Sequence, residues 1–398
     1  MKVSSKVKGV EYAIRDIVLS AREVEKRGIQ VQYLNVGDPP QYGFQPPENV
    51  INAHIDAIRN GNNFYAPSEG LKPLRDAIAE KERSKGLQTS SDGIIVTNGI
   101  SEALDMVTAS IVESGDEVLL PGPYYPPYSS YVKLHGGTPV EFGVDLAAGR
   151  PDIEDMRSKI TPKTVAVCLI NPNNPTGMVY DRKSLQDIID VANEHNLYVI
   201  CDEIYDRITY DDEFTSIGRV AKDSPVILLN GFSKVNLMTG WRLGYIAFAD
   251  SPQLHNIKKY LPQLTRVRIA ANMPAQYAAL ESLRGPQDYI DKFVAEMSRR
   301  RDLMVKRLNS IPNLTCPPVK GAFYVFPHID DNPYSSDKEF VLELLRQKGV
   351  LTVHGSGFGK AFGREHFRLV FLPPISTLNS ALDKIEDFMT TDSSLKIG

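Results

Sequence analysis

Cysteine is scarce in this sequence, and the three that occur, Cys168, Cys201 and Cys316, are too scattered for a disulfide framework. Cys168 and Cys201 fall inside apolar runs, which reads as buried, reduced thiols in a cytoplasmic protein. No apolar stretch reaches the roughly 18 residues of a membrane span. The N-terminus, "MKVSSKVKGVEYAIRDIV", lacks the long apolar segment and cleavage site of a signal peptide. Without a membrane span no membrane partner is expected, and HExxH, CxxC and an EF-hand loop are all missing, so no metal site is expected either. Basic charge is not in excess either: the formal net charge is -4, which leaves no footprint for nucleic acid. What is present is a globular composition, 42% hydrophobic and 24% charged. At 398 residues the chain exceeds the roughly 250–300 residues that one core supports, so two domains sharing a cleft are expected.

From about residue 90, apolar strands alternate with polar-faced helices. The pattern predicts strands at 93–97, 116–122, 164–172, 197–203, 225–231 and 242–249, with a helix after the first and another over 181–196. The runs at 164–172 and 197–203 are almost wholly apolar, as in strands covered on both faces. Such alternation predicts an α/β fold around a mostly parallel sheet. The C-terminal part reads differently, with a helix over about 287–310, short strands at 321–327 and 366–371, and helices near 337–348 and 378–390. The expected division is a large α/β domain over 46–280 and a small α+β domain over 281–398, joined by the N-terminal segment 1–45.

Ligands of such sheets lie outside the carboxyl ends of the strands, and polar residues gather there. Gly99, Ile100 and Ser101 open a helix, where free N–H groups and the helix dipole favour an anion. Asn171 and Asn174 stand in "NPNNPTG". Asp202 ends the run "LYVIC", where a buried carboxylate is costly unless paired, and Tyr205 follows it. Ser233 and Lys234 come just after 225–231, and Arg242 eight positions after the lysine. Taken alone, each admits a plain structural role: a capping serine, a turn, an ion-paired carboxylate, a solvated lysine. Together they match the needs of pyridoxal 5′-phosphate. That cofactor takes a lysine amine for its aldehyde, a carboxylate for its ring nitrogen, an anion site for its phosphate, donors for its phenolic oxygen and an aromatic face for its ring.

The same segments carry a family resemblance. "NFYAPSEGLKPLRDAIA", "NPNNPTG", "CDEIYDRITY" and "GFSKVNLMTGWRLGY" resemble, in this order, the motifs of class I/II aminotransferases, pyridoxal-phosphate enzymes of fold type I. "FRLVF" near the C-terminus fits as well, so the resemblance runs from about residue 12 to the end. It implies that Lys234 bonds the cofactor and moves the substrate Cα proton. Asp202 would pair with the ring nitrogen, while Asn174 and Tyr205 bond the phenolic oxygen. Tyr125, rather than Tyr124, would stack on the ring. Gly99, Ile100, Ser101, Ser233 and Arg242 would hold the phosphate, and Tyr65 would reach the phosphate of a neighbouring subunit, which implies a homodimer with shared sites. Arg368 resembles the arginine that grips the substrate α-carboxylate as a fork, and Gly37 a backbone contact beside it. The activity implied is ping-pong transfer of an amino group from an L-amino acid to a 2-oxo acid.

The general motifs do not choose the amino acid. Tyr12 and Arg15, at i and i+3 in "EYAIRDIV", would share one helix face, with Arg15 toward the γ-carboxylate of glutamate and Tyr12 closing the site. The segments "VEYAIRDIV", "LNVGDPPQYGF", "PGPYYPPY" and "NPNNPTGMVY" look most like alanine aminotransferases of bacteria and archaea. Alanine and 2-oxoglutarate giving pyruvate and glutamate is the expected reaction. Aspartate or broad aromatic specificity, or β-lyase chemistry on the same fold, are the alternatives. His354 stands where the family often has proline before "GSGFG", and an uninvolved loop role is expected there. "GSGFGK" has the spacing of neither nucleotide-binding loop. A DNA-binding regulator on this domain would need an N-terminal module, for which there is no room before Tyr12.

Overall fold

The computed structural model describes residues 3–8, 10–211 and 213–393. Its central sheet has seven strands, numbered here in chain order: β1 (Ile94–Thr97), β2 (Glu117–Pro121), β3 (Thr138–Phe142), β4 (Thr164–Ile170), β5 (Tyr198–Asp202), β6 (Val226–Gly231) and β7 (Gly244–Phe248). They lie in the order β1-β7-β6-β5-β4-β2-β3. β7 is antiparallel to both neighbours and every other pairing is parallel, so the sheet is mixed by one reversed strand. The chain runs out to the far edge with β2 and β3, then steps back through β4, β5 and β6. That reversal is where an open α/β sheet offers a crevice at its carboxyl ends.

The apolar runs of β4, β5 and β6 are buried on both faces. The helix Arg182–Glu194 connects β4 to β5, and it starts where the Asp181 carboxylate accepts the Ser184 N–H at 2.7 Å. It buries Leu185, Ile188, Ile189 and Ala192 at helical spacing against the sheet. Three differences from the sequence-based expectation have local causes. β3 is an unforeseen edge strand: it contains Pro139, which an edge tolerates, and of its five residues only Phe142 is buried. β7 begins at Gly244 because Arg242 sits in the left-handed region at φ 55, which cannot continue an extended strand. The strand expected over 321–327 is regular only at Tyr324–Val325, with a lone bridge from Gly321 to Thr209, since Ala322 at φ 56 interrupts it.

Tyr324–Val325 and Val353–His354 flank Phe367–Val370 in a three-stranded antiparallel sheet. Gln32–Tyr33 pairs in parallel with Val350–Leu351, so the N-terminal segment docks on the C-terminal part. The helices Asp288–Leu308, Asp337–Lys348 and Ile375–Ser393 lie close to the expected positions. One apolar core runs from the central sheet into these elements. All three cysteines are buried and free. Among the described residues no helix is long and apolar enough to cross a membrane.

Candidate active site

A cavity of about 550 Å³ opens at the carboxyl ends of the strands. The helix after β1 contributes Ile100 and Ser101, the loop after β2 contributes Tyr125, and the turn after β4 contributes Asn174. Asp202 and Tyr205 come from β5 and its following turn, and Ser233, Lys234 and Arg242 from the loop joining β6 to β7. Arg368 comes from the strand Phe367–Val370, and Tyr12, Arg15 and Gly37 from the N-terminal segment. All of these are expected at one site from the sequence, and the fold gathers them around one cavity.

Three other residues stand apart. Gly99 lies behind the cavity at φ 82, with the Arg242 guanidinium packed where a Cβ would be, so only glycine serves. Tyr65 is 77% exposed beside a separate shallow pocket, and nothing within one chain brings it to the cavity. His354 lines a neighbouring groove, with Nδ1 2.9 Å from the Ser356 hydroxyl. Two details of register are resolved. Tyr124 turns its hydroxyl to Glu141, 3.2 Å away, and leaves Tyr125 facing the cavity. Tyr12 precedes the helix Ala13–Lys26 instead of lying in it, yet it and Arg15 both reach the cavity.

Lys234 is part-buried, and its Nζ donates to the Gly37 carbonyl at 2.6 Å. Burial lowers its pKa to about 8; Asp38 opposes that shift, while Arg242, Arg368 and Arg15 add to it. Asp202 accepts from the Tyr128 hydroxyl at 2.7 Å and from the Ile204 N–H at 2.9 Å. Burial still raises its pKa to about 7. The hydroxyls of Tyr205 and Tyr324 are 2.8 Å apart, as are those of Tyr12 and Tyr125. Arg368 is almost fully buried, donates to Asn174 Oδ1 at 2.9 Å and to the Asn35 carbonyl, and lies over the rings of Tyr324 and Phe358. Its Nε has no partner among the described residues. A buried guanidinium with an idle donor and no carboxylate is a site waiting for an anion.

The family model for aminotransferase class I and II matches residues 30–385. The chain belongs to that family. This aminotransferase is 37% identical over 401 residues to the glutamate-pyruvate aminotransferase of Escherichia coli (strain K12), with 97% of each chain covered. It is 35% identical over 399 residues to an alanine aminotransferase of Mycobacterium tuberculosis (strain ATCC 25618 / H37Rv), with 98% of this chain and 92% of that one covered. The solved alanine aminotransferase from Pyrococcus furiosus superposes with a TM-score of 0.95 at 48% identity, covering 98% of this chain and 100% of the other. The aspartate aminotransferase from Thermus thermophilus with maleate gives 0.87 at 32% identity, covering 97% and 99%. The architecture is the α/β fold type I of the family, whose members use pyridoxal 5′-phosphate.

Three further residues line the cavity without having been marked by the sequence. Asp38 stands in "LNVGDPP" and accepts from the Thr239 hydroxyl at 2.6 Å. Tyr128 closes "PGPYYPPY", and Tyr324 sits in an apolar run that read only as strand. Nothing local marks the partners of those two hydroxyls, since the pairing is made across the fold.

Asp202 makes the apoprotein sensitive to pH. A carboxyl whose pKa is raised by folding stabilises the fold below its unfolded value of 3.8, and that contribution is lost as pH climbs through about 7. Asp202→Asn should therefore flatten the pH dependence of apoprotein melting between about pH 4 and 7. An unchanged slope in thermal unfolding would mean that Asp202 ionises as freely folded as unfolded.

Proposed function

We propose that this aminotransferase binds pyridoxal 5′-phosphate in the cavity and passes the amino group of alanine to 2-oxoglutarate, giving pyruvate and glutamate. The charge balance of the cavity carries the reading. Arg15, Lys234, Arg242 and Arg368 face it against only two carboxylates, Asp38 and Asp202. Arg368 is buried and Lys234 half-buried, while Arg15 and Arg242 are exposed at the rim. Cations in such excess around one cavity favour anionic ligands, and a cofactor phosphate and substrate carboxylates supply them.

The residues fit the cofactor. Lys234 offers an amine of lowered basicity, and Asp202 a buried carboxylate anchored by two hydrogen bonds. The start of the helix Ile100–Ile111, with Ser101, Ser233 and Arg242 beside it, forms an anion cradle. Bound there, the cofactor supplies an electron sink for negative charge developing at the substrate Cα. The chain's own groups do the rest. With cofactor and substrate in place, Lys234 Nζ, an amine whose basicity burial lowers, would take and return the Cα proton. Asp202 would pair with the ring nitrogen and hold it protonated. Tyr205, fixed by Tyr324, and Asn174, fixed by Arg368, would be the donors to the phenolic oxygen. Arg368 grips the α-carboxylate that every substrate shares, beside Gly37. Arg15 takes the distal carboxylate, and Tyr12, bonded to Tyr125, closes that side.

Alanine as donor is supported by the names of the relatives in Escherichia coli, Mycobacterium tuberculosis and Pyrococcus furiosus. The likeness to the Thermus thermophilus enzyme favours aspartate as a second reading, since Arg15 suits a distal carboxylate of either length. The proposal extends to a cytoplasmic homodimer. Phe64 and Tyr65, 63% and 77% exposed, offer a surface on which a second copy would receive Tyr65 at its phosphate. It also includes a large unit over 46–280 and a small one formed by 1–45 with 281–398.

A panel of amino donors with 2-oxoglutarate tests the substrate. Alanine should lead aspartate and the aromatic amino acids, and a panel led by aspartate would replace the alanine reading. In the same assay Arg15→Ala should raise KM for glutamate and 2-oxoglutarate by about 10–100-fold, the loss of a charge-assisted contact, with little change for alanine. Equal changes would remove Arg15 from recognition.

A further inference from the structure

Asp202 and Tyr205 share a turn with two acidic residues that point the other way. The side chains of Glu203 and Asp206 are fully buried, and neither faces the cavity. They meet Lys81, on the helix Lys72–Ser84, and Lys85, which caps that helix. Lys85 Nζ lies 2.8 Å from a carboxylate oxygen of each of Glu82, Glu203 and Asp206. Lys81 Nζ lies 3.0 Å from Asp206 and 3.2 Å from the Tyr245 hydroxyl, which itself donates to Glu82. Asn230 on β6 donates to Asp206 at 2.9 Å, and the Ser216 hydroxyl and Ile217 N–H each donate to Glu203 at 2.8 Å. Three carboxylates and two ammonium groups thus carry a formal charge of -1 behind the site.

Stability alone is a weak reason for such a cluster, because well-packed apolar residues often serve the fold as well as a buried ion network. Its place in the chain supplies a better one. The turn 202–206 is clamped from behind at positions 203 and 206 while it presents positions 202 and 205 in front. The charges bear on one another as the contacts suggest. Burial would lower the Lys85 pKa, but Asp206, Glu203 and Glu82 outweigh it and hold it well above the usual range. Against burial, Lys81 and Lys85 keep Asp206 far below the ordinary carboxylate range. Burial raises Glu203, with Lys85 opposing.

We infer that this cluster is a positioning device for the active site: through Glu203 and Asp206, Lys85 holds the turn that carries Asp202 and Tyr205, and the net charge of the cluster tunes the electrostatics at Asp202 and the cofactor. The inference rests on the cofactor reading above. Asp202 is also faced by Tyr128 from the helix Pro127–Leu134, by Cys168 on β4 and by Tyr205. Lys234 is faced by Asp38, Arg242, Arg368 and Arg15. Cys201 also lies beside Asp202 on β5. From the cluster, Glu203 and Asp206 both act on Asp202 and favour its protonated form, so a change of charge at Lys85 bears on the site alongside them.

Three variants change the formal charge in both directions. Lys85→Met makes the cluster -2, Lys85→Met with Glu203→Gln returns it to -1, and Glu203→Gln alone makes it 0. Each is reconstituted with pyridoxal 5′-phosphate, and the absorbance of the cofactor held on Lys234 is titrated with pH. More negative charge favours the protonated chromophore, so its midpoint should rise in Lys85→Met by about 0.5–1 pH unit. It should fall by a similar amount in Glu203→Gln and return to the wild-type value in the double variant. A loss of packing would not change sign with charge. Midpoints that stay constant, or that all move one way, would overturn the inference while leaving the cofactor reading intact. A wild-type protein that takes up no cofactor would sink both. If Lys85→Met fails to fold by circular dichroism, the fall in Glu203→Gln and the return in the double variant decide the matter.

Discussion

Lys234→Met yields a folded chain that neither holds pyridoxal 5′-phosphate covalently nor transaminates. The variant loses both the covalent attachment and the proton carrier, and general acid–base catalysis alone contributes about 10²–10⁴-fold, so a fall of about 10⁴-fold or more in turnover is expected. The yellow absorbance that borohydride fixes on the wild-type chain should be absent. A retained, reducible chromophore would place the attachment elsewhere. Stability should move the opposite way. Folding depresses the Lys234 pKa from 10.5 to about 8, so the folded apoprotein carries a penalty for the charged amine below about pH 8 that fades as pH rises to 10.5. Methionine keeps the aliphatic stem and removes the charge. The variant apoprotein should therefore melt above wild type at pH 7, with the gap closing toward pH 10.5. Lower melting at every pH would mean that the lost bond to the Gly37 carbonyl outweighs relief of the buried charge.

Arg368→Lys should lower kcat/KM by about 10²–10⁴-fold for alanine, glutamate, pyruvate and 2-oxoglutarate alike. Two charge-assisted hydrogen bonds at about 1.5–3 kcal/mol each set that range, since a single ammonium cannot reproduce a planar fork. The substitution also removes the donor that orients Asn174 and the cation lying over Tyr324 and Phe358. Uniformity across substrates is the diagnostic, because the α-carboxylate is common to all four. Half-reactions followed separately with mono- and dicarboxylates would show it. A loss confined to the dicarboxylates would exchange the roles given to Arg368 and Arg15.

The strands that cross the core were legible because burial on both faces leaves a nearly unbroken apolar run, as in β4 and β5. β3 was not, because an edge strand with a proline and half-exposed side chains carries little periodic signal. The site was legible wherever a residue's role is tied to a strand end, as for Asp202, Lys234 and Asn174. Tyr128 and Tyr324 act on residues 74 and 119 positions away, through contacts that only the fold creates. Glu203 and Asp206 were in view within "CDEIYDRITY", but their direction was not. The sequence shows that four polar residues share a turn, and does not show that the turn splits them two and two between the cavity and the lysines behind it.

The reversed strand β7 has a consequence for how the two cofactor grips stay matched. Gly231 and Gly244 are directly paired across β6 and β7, so the chain leaves the sheet and re-enters it one strand over. The anchors of Lys234 and Arg242 are therefore held about 4.8 Å apart by the hydrogen-bonded ladder, whatever the length of chain between them. The tip of the loop is open, and a side chain at Gly240 would meet nothing within 4 Å. The sheet is the ruler, and the loop is fastened to it: Val235, Leu237 and Met238 are buried, the Met238 N–H donates to the Phe232 carbonyl at 3.1 Å, and Arg242 donates to the Thr239 carbonyl at 3.0 Å.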